Sequence, residues 1–512
     1  MFPNLPFFSH LISYNISMKK QNDKVVRFSF NQYQQQLYDE FYADLLKHIR
    51  MAKSQQTLLV DDFNRALRYY LNNGIALPEA LERISPQHLG GFYSHPALNW
   101  YPLDNAAIIY PLSMKYGTVP MFRISVYLKQ DVVPEILQLA LDFTIKRFPS
   151  FATTLKKGFF WHYLDSTKRR FSIEPERVIP LRPLKIQNTG AQSFRVSYFE
   201  KRISVELFHV LTDGSGGIVF LKTLLGEYLR LLGHQFEYSE NVWDVDEAPH
   251  AGETVNEFAN SQLKEGTSGF MNTPAAQMSG KVSPLRPVQV LHFNMNSKQL
   301  HDKAKEYGAT VTAYLTAKMT LAARFACEET SGDIKIQIPV NMRKFNGSST
   351  IRNYAMYFTA DTPLEKADDF EEVLADISRQ IKEKSSAEEM NKMMSTTVKL
   401  VQSLKYVPLN IKIPVAQIVY GFLGDRVNTS YLSNLGVIKL PKGMDKYVEK
   451  FDFVLGPSEV CRASCSLITF KENTVMGITK VTSDPSFEEK LLALLEKDGI
   501  NVMVEGSDLY ES

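Results

Sequence analysis

Apolar residues recur at four-residue spacing through Tyr33, Leu37, Phe41, Leu45 and Ile49, which predicts a helix. Asp61-Asp62 is placed to open a second helix through Phe63, Leu67 and Leu71, so residues 27–92 read as helical. The pattern changes near Ser94-His95-Pro96. Beyond it, Val119 to Leu128 reads as a strand and Val132 to Phe148 as a helix. Short strands are expected at Gly158 to Leu164, Phe194 to Tyr198 and Ile203 to Val210. Over 218–232 the residues Leu221, Leu224, Leu225, Tyr228, Leu229 and Leu232 form the apolar stripe of a helix. Residues 240–285 are polar and rich in Gly, Ser and Pro, which marks a crossover or linker.

The second half has the same mixed character without repeating the sequence. Val288 to Phe293 reads as a strand, Ser297 caps a helix carrying Leu300 and Ala304, and Thr312 to Phe325 makes another helix. Ile334, Ile336, Ile338 and Val340 alternate strictly, the signature of a half-buried strand. Helices occupy much of 367–422, strands are expected at Val427 to Tyr431, Arg462 to Phe470 and Thr474 to Val481, and a helix at Ser486 to Lys497 closes the pattern. The expected architecture is α/β. A helical N-terminal extension (1–97) precedes a first lobe with its linker (98–285) and a second lobe (286–512), each a mixed sheet flanked by helices.

Composition narrows the function. Lysine plus arginine is 58 against 56 for aspartate plus glutamate, a formal net charge of +2. That balance gives no field to recruit a nucleic-acid backbone or an anionic membrane, although local patches could hold a phosphorylated cofactor. Cys327, Cys461 and Cys465 are too few for a disulfide scaffold and fit a reducing compartment. No histidine or further cysteine pair stands at zinc spacing beside Cys461 and Cys465, so no metal is expected. The start lacks a basic segment before its apolar residues and carries Pro3 and Pro6, unlike a signal peptide. No stretch approaches the ~20 uninterrupted apolar residues of a membrane span. The chain is therefore expected to be soluble and cytoplasmic.

One stretch carries chemistry. Phe208-His209-Val-Leu-Thr-Asp213-Gly214-Ser-Gly-Gly217 lies where a strand ends and a helix begins. Ile203, Val205 and Leu207 share a parity that His209 continues, which aims the imidazole toward the interior or into an interlobe cleft. The glycines let the chain turn sharply and keep side chains out of the approach. Asp213 is placed to fix the turn, against a cation or against backbone. Histidine suits proton abstraction because its ordinary pKa near ~6.5 leaves the ring neutral at cellular pH. A satisfied core histidine would have the same apolar surroundings. No G-x-S-x-G elbow or other nucleophile motif accompanies it.

Here the chain resembles the CoA-dependent acyltransferase superfamily. His209-Val-Leu-Thr-Asp213-Gly214 has the form of its H-x-x-x-D-G signature, and Tyr101-Pro-Leu-Asp104-Asn105-Ala-Ala looks like the opening of bacterial alcohol acetyltransferases. Ile338-Pro-Val-Asn341-Met-Arg343 and Ser433-Asn434-Leu-Gly436 resemble strand segments of condensation-type members. The resemblance runs from about residue 98 to the C-terminus. The plant-type D-F-G-W-G motif is absent, and Phe208 stands where most condensation domains have a first histidine.

The resemblance implies two chloramphenicol-acetyltransferase-like lobes with a solvent tunnel between them, donor and acceptor meeting at His209. It implies that Asp213 is structural and paired to an arginine, for which Arg343 is the candidate. Ser433 and Asn434 could form a turn or line the tunnel, with Asn434 donating to an oxyanion. The expected activity is transfer of an acyl group, acetyl by nearest analogy, from acyl-CoA as co-substrate to a small-molecule alcohol or amine. No cofactor would be tightly bound. The alternatives are a condensation-like enzyme fed by a carrier-protein thioester, and a non-catalytic scaffold that uses its helical N-terminus to hold a partner.

Overall fold

A computed structural model describes residues 28–94, 99–114, 120–167, 169–184, 192–260, 273–283, 287–423, 425–458, 460–507 and 509–510. The N-terminal start, the sequence division at His95-Pro96, Val119 and residues 261–272 and 284–285 of the expected linker lie outside them.

The first lobe is built on a five-stranded sheet. Its order is Val448–Leu455, Met121–Leu128, Arg202–Phe208, Phe194–Phe199 and Ile173–Pro175. All neighbours run antiparallel except the last pair. The helices Pro134–Thr144 and Gly214–Leu231 pack on each other and on this sheet. Pro134 suits the first helical turn, where an N–H has no partner to lose. A smaller sheet joins Trp100–Pro102 to a hairpin of Thr153–Lys157 and His162–Ser166. The single strand expected at Gly158 to Leu164 is thus half turn and half strand, because Gly158 N–H closes a tight loop on Trp161 O at 3.0 Å.

The N-terminal helices Gln32–Lys47, Lys53–Asn72 and Leu77–Arg83 are part of this lobe's core rather than an appendage. Phe63 meets Phe143 edge-on with ring centres 5.8 Å apart, and the Tyr70 hydroxyl donates to Leu231 O at 2.8 Å. Asp61-Asp62 opens no helix. The helix already starts at Lys53, and Asp62 lies in its middle, buried and ion-paired with Arg170 of the first lobe.

The second lobe holds a seven-stranded sheet. Its order is Ala355–Pro363, Asp333–Asn341, Ser430–Val437, Ala463–Phe470, Asn473–Lys480, Gln289–Asn296 and Val502–Gly506. Ser430–Val437 runs parallel to both neighbours, and the remaining pairs are antiparallel. Helices Val311–Ala326, Phe370–Lys384 and Ser486–Lys497 pack around one core, where Met390 and Met394 are also buried. Two local expectations shift. Asn296, not Ser297, caps the Ser297–Glu306 helix, its side chain accepting from Lys298 N and Gln299 N at 3.0 Å each. The strand expected at Val427 to Tyr431 begins at Ser430, after a turn of 3₁₀-helix.

The halves of the chain do not each keep to their own sheet. Val448–Leu455, from the second half, pairs with Met121–Leu128 and completes the first lobe's sheet. The same strand lies over the second sheet, where Thr479 Oγ1 donates to Leu455 O at 2.7 Å. A boundary at 285 therefore divides the chain but not the lobes. No helix among the described residues is long and apolar enough to cross a membrane.

Candidate active site

The Arg202–Phe208 strand delivers His209. Antiparallel pairing runs one residue past the strand, since His209 N–H donates to Pro120 O at 3.0 Å. The chain then turns, and Asp213 caps the Gly214–Leu231 helix, its Oδ1 accepting from Gly216 N at 3.1 Å. A short polar side chain with extended backbone at a helix start is the usual solution for orphan N–H groups. Strand parity and helix cap together fix where the imidazole can be.

Aromatic rings hold it there. Tyr110, from the short Ile109–Ser113 helix, stacks on the imidazole with centres 5.0 Å apart and planes at 23°. Phe122 lies 4.6 Å away at 52°. Nδ1 is buried and has no hydrogen-bond partner of good geometry. Burial lowers the His209 pKa, since a charged ring would lose its water; the Asp213 charge, the Asn353 side chain and the Thr212 backbone oppose this less strongly. The ring is therefore neutral at neutral pH.

Asp213 reaches across to the second lobe. Its Oδ2 accepts from Arg343 Nη1 and from Tyr354 N, both at 2.8 Å. The rest of the guanidinium is engaged too, with Nε donating to Thr350 O at 2.7 Å and Nη2 to Arg352 O at 2.5 Å. Asn341 accepts from Arg343 N at 3.1 Å and donates to Ser215 Oγ at 3.0 Å. The motif glycines serve close approach, since none of Gly214, Gly216 and Gly217 has a positive φ. A Cβ on Gly216 would overlap the Ile351 carbonyl and Thr212 Oγ1, while one on Gly214 would come within 2.5 Å of Leu435 Cδ2.

A second link escaped the sequence. Asn353 Nδ2 donates to the His209 carbonyl at 2.8 Å and to Asp104 Oδ2 at 3.3 Å. Asp104 is fully buried, accepts from Ala107 N at 2.6 Å, and lies 3.6 Å from the Arg352 guanidinium. Asn353 and Tyr110 stand in no motif or periodic pattern, and only the folded chain brings them to His209. Asp104 at least lies in the Tyr101–Ala107 stretch that resembles an alcohol-acetyltransferase opening.

These residues border a cavity of about 350 Å³. Its wall takes Tyr110, Phe122, His209 and Ser215 from the first half of the chain, and Asn341, Asn353, Tyr357, Ser433 and Asn434 from the second. Ser433 and Asn434 lie within a strand whose register slips after Asn434, not in a free turn. Asn434 commits its side chain to neighbours, Nδ2 donating to Thr312 Oγ1 at 3.1 Å and Oδ1 accepting from Gly436 N at 2.7 Å. Of the residues singled out from sequence, His209, Asp213, Gly214, Ser433 and Asn434 all border the cavity. Arg343 stands behind it, held by Asp213.

No family model and no curated protein matches the chain. Solved structures do. Polyketide synthase associated protein 5 from Mycobacterium tuberculosis superposes with a TM-score of 0.54 at 13% identity, over 78% of this chain and 98% of that one. The fold is that of the CoA-dependent acyltransferases and condensation domains. TRI101 from F. sporotrichioides, complexed with coenzyme A and T-2, gives a TM-score of 0.53 at 12% identity over 79% of this chain and 99% of that one. The first condensation domain of the calcium-dependent antibiotic synthetase gives 0.51 at 11% identity over 79% and 95%. On this acyltransferase fold the His209 cavity lies between the two lobes, with residues of both on its wall.

Proposed function

We propose that the protein is an acyltransferase in which His209 is the general base, moving an acyl group from a CoA thioester to a small alcohol or amine. The observation that supports it most is the His209 imidazole. It is kept neutral by burial, clamped between Tyr110 and Phe122, and placed on the wall of a cavity shared by two lobes of the acyltransferase fold.

With Nδ1 buried, Nε2 is the nitrogen that takes the proton. The acceptor O–H or N–H gives its proton to Nε2 as the oxygen or nitrogen attacks the thioester carbon. The tetrahedral oxyanion collapses, the C–S bond breaks, and the imidazolium returns the proton to the departing thiolate. One Asn434 N–H goes to Thr312 and its Oδ1 accepts from Gly436, so the second Asn434 N–H and the Ser433 hydroxyl are the candidates to donate to the oxyanion. Asp213 moves no proton, since its carboxylate is committed to Arg343, Tyr354 and Gly216. No protein nucleophile is needed, so both substrates are bound together.

Thermal unfolding in the presence of acetyl-CoA, longer acyl-CoAs, free CoA and an acylated carrier protein tests the donor. A ligand at about 100 times its Kd adds about 2.7 kcal/mol to native stability. The proposal requires that CoA thioesters raise the melting temperature. Stabilisation by the acylated carrier alone would reassign the donor to a carrier protein, and stabilisation by none would leave a non-catalytic use of the fold.

A further inference from the structure

The near-neutral net charge hides an uneven face. Between Glu389 and Asp425 the chain has no acidic residue and four lysines, Lys392, Lys399, Lys405 and Lys412. Lys156 and Lys157 precede Phe159-Phe160-Trp161, again with no acid before Asp165. The fold joins these two stretches. The tip of the Thr153–Lys157 and His162–Ser166 hairpin rests on the start of the Leu409–Leu423 helix. There Leu409 N–H donates to Phe159 O and Lys412 Nζ to Phe160 O, both at 2.9 Å, with the Lys412 ammonium 3.0 Å from the centre of the Trp161 ring.

What these bonds hold in place points outward. Phe159 is 71% exposed and Tyr406 76%, with Phe160 between them, its ring 6.3 Å from that of Tyr406. Ile411 and Val415, one turn apart on the helix, are 52% and 54% exposed. Single exposed apolar residues need no explanation, but an anchored aromatic group on a helix that itself exposes Ile411 and Val415 does. Among the described residues, Lys157, Lys399 and Lys405 are exposed and form no salt bridge. This rim is cationic.

We infer that this face docks on an anionic lipid surface, with the rings at the headgroup boundary and the lysines against lipid phosphates. Aromatic side chains with an apolar body suit that boundary, and long lysine stems can lie along apolar surface while their ammonium groups reach anionic headgroups. A second copy of the chain fits less well, because a two-fold interface would set this cationic rim against itself. The place of the face also matters. The Leu409–Leu423 helix, which carries part of this face, packs on Ile109–Ser113, which brings Tyr110 onto His209. Docking itself does not depend on acyl transfer.

The test is co-sedimentation of the full chain with vesicles of phosphatidylcholine alone and of equal parts phosphatidylcholine and phosphatidylglycerol. The protein should pellet with the anionic vesicles and be released by raised salt. Lys157→Ala and Lys405→Ala should each weaken partition about fivefold. Phe159→Ser combined with Tyr406→Ser should weaken it about tenfold or more, with an unchanged melting temperature because both positions are exposed. Ile411→Asn with Val415→Asn gives a second pair on the other element, should the hairpin variant misfold. Wild-type protein left in the supernatant with anionic vesicles, or binding indifferent to both pairs, overturns the inference. So does sedimentation equilibrium showing a wild-type dimer that these pairs convert to monomer.

Discussion

Arg343 Nη1 stands 2.8 Å from Asp213 Oδ2, so the residue that caps a first-lobe helix is held by a cation from the second lobe. The bond joins three things: the helix start, the loop that carries Asn353, and the approach of the two lobes around His209. Neither partner is free for proton transfer. The bond ties the helix start to the second lobe.

Asp213→Asn keeps the shape of the cap but removes the charge facing a largely buried guanidinium. Breaking such a pair from one side costs about 3–5 kcal/mol. Denaturant unfolding should show a loss of that order. An unchanged midpoint would mean that water or another acceptor replaces the carboxylate.

The two partners also show how far sequence could go. His209 and Asp213 were legible because strand parity and a helix cap are local, and both can be read within a dozen residues. Arg343, more than a hundred residues away, was reached only through the resemblance. Asn353 was invisible, since it lies in a loop with no periodicity and gains its role from packing. The 28–92 helices were legible as helices but not as core. Asp62 reads as a solvent-facing helix start until Arg170 is placed beside it. Likewise, nothing local says that Val448–Leu455 pairs with Met121–Leu128 rather than with its own half.

The helical N-terminus should therefore resist removal. Phe63 is fully buried against Phe143, and Phe→Ala substitutions in cores cost about 3–5 kcal/mol. Phe63→Ala should lower the melting temperature of the whole chain in a single transition. An early, separate transition that leaves the remaining unfolding unchanged would show an independent extension.

Gly216 and Gly214 should differ. A Cβ at Gly216 meets the Ile351 backbone carbonyl, which cannot rotate away, while a Cβ at Gly214 meets the end of the Leu435 side chain, which can. Gly216→Ala should cost about 1–3 kcal/mol by overpacking and should lower turnover by parting the lobes. Gly214→Ala should be milder on both counts. Equal losses at the two positions would mean that the approach of the Ile351 backbone to Gly216 is not what sets the cost.

Burial lowers the His209 pKa below the ordinary 6.5, and the proposed general-base role uses the neutral ring. The acid limb of kcat/KM should therefore fall below pH 6.5, with activity retained at pH values where a free imidazole is half protonated. Because the unfolded chain binds this proton more readily, the contribution to stability is present above 6.5 and is lost as pH falls through the folded-state value. Asp213 pulls the other way, so Asp213→Asn should move the acid limb lower still. An acid limb at or above 6.5 would assign the rate-controlling proton to another group.

The most direct test of His209 is acceptor-dependent release of CoA thiol from acyl-CoA, followed with a thiol reagent across a panel of alcohols and amines. Cys327, Cys461 and Cys465 are all buried, so the folded protein adds little background. Wild-type protein should release thiol only when both substrates are present, and quenched protein should carry no acyl group. His209→Ala should slow release by about 10²–10⁴-fold while its melting temperature and its stabilisation by acyl-CoA stay near wild type. Wild-type turnover in a folded His209→Ala protein would contradict the account.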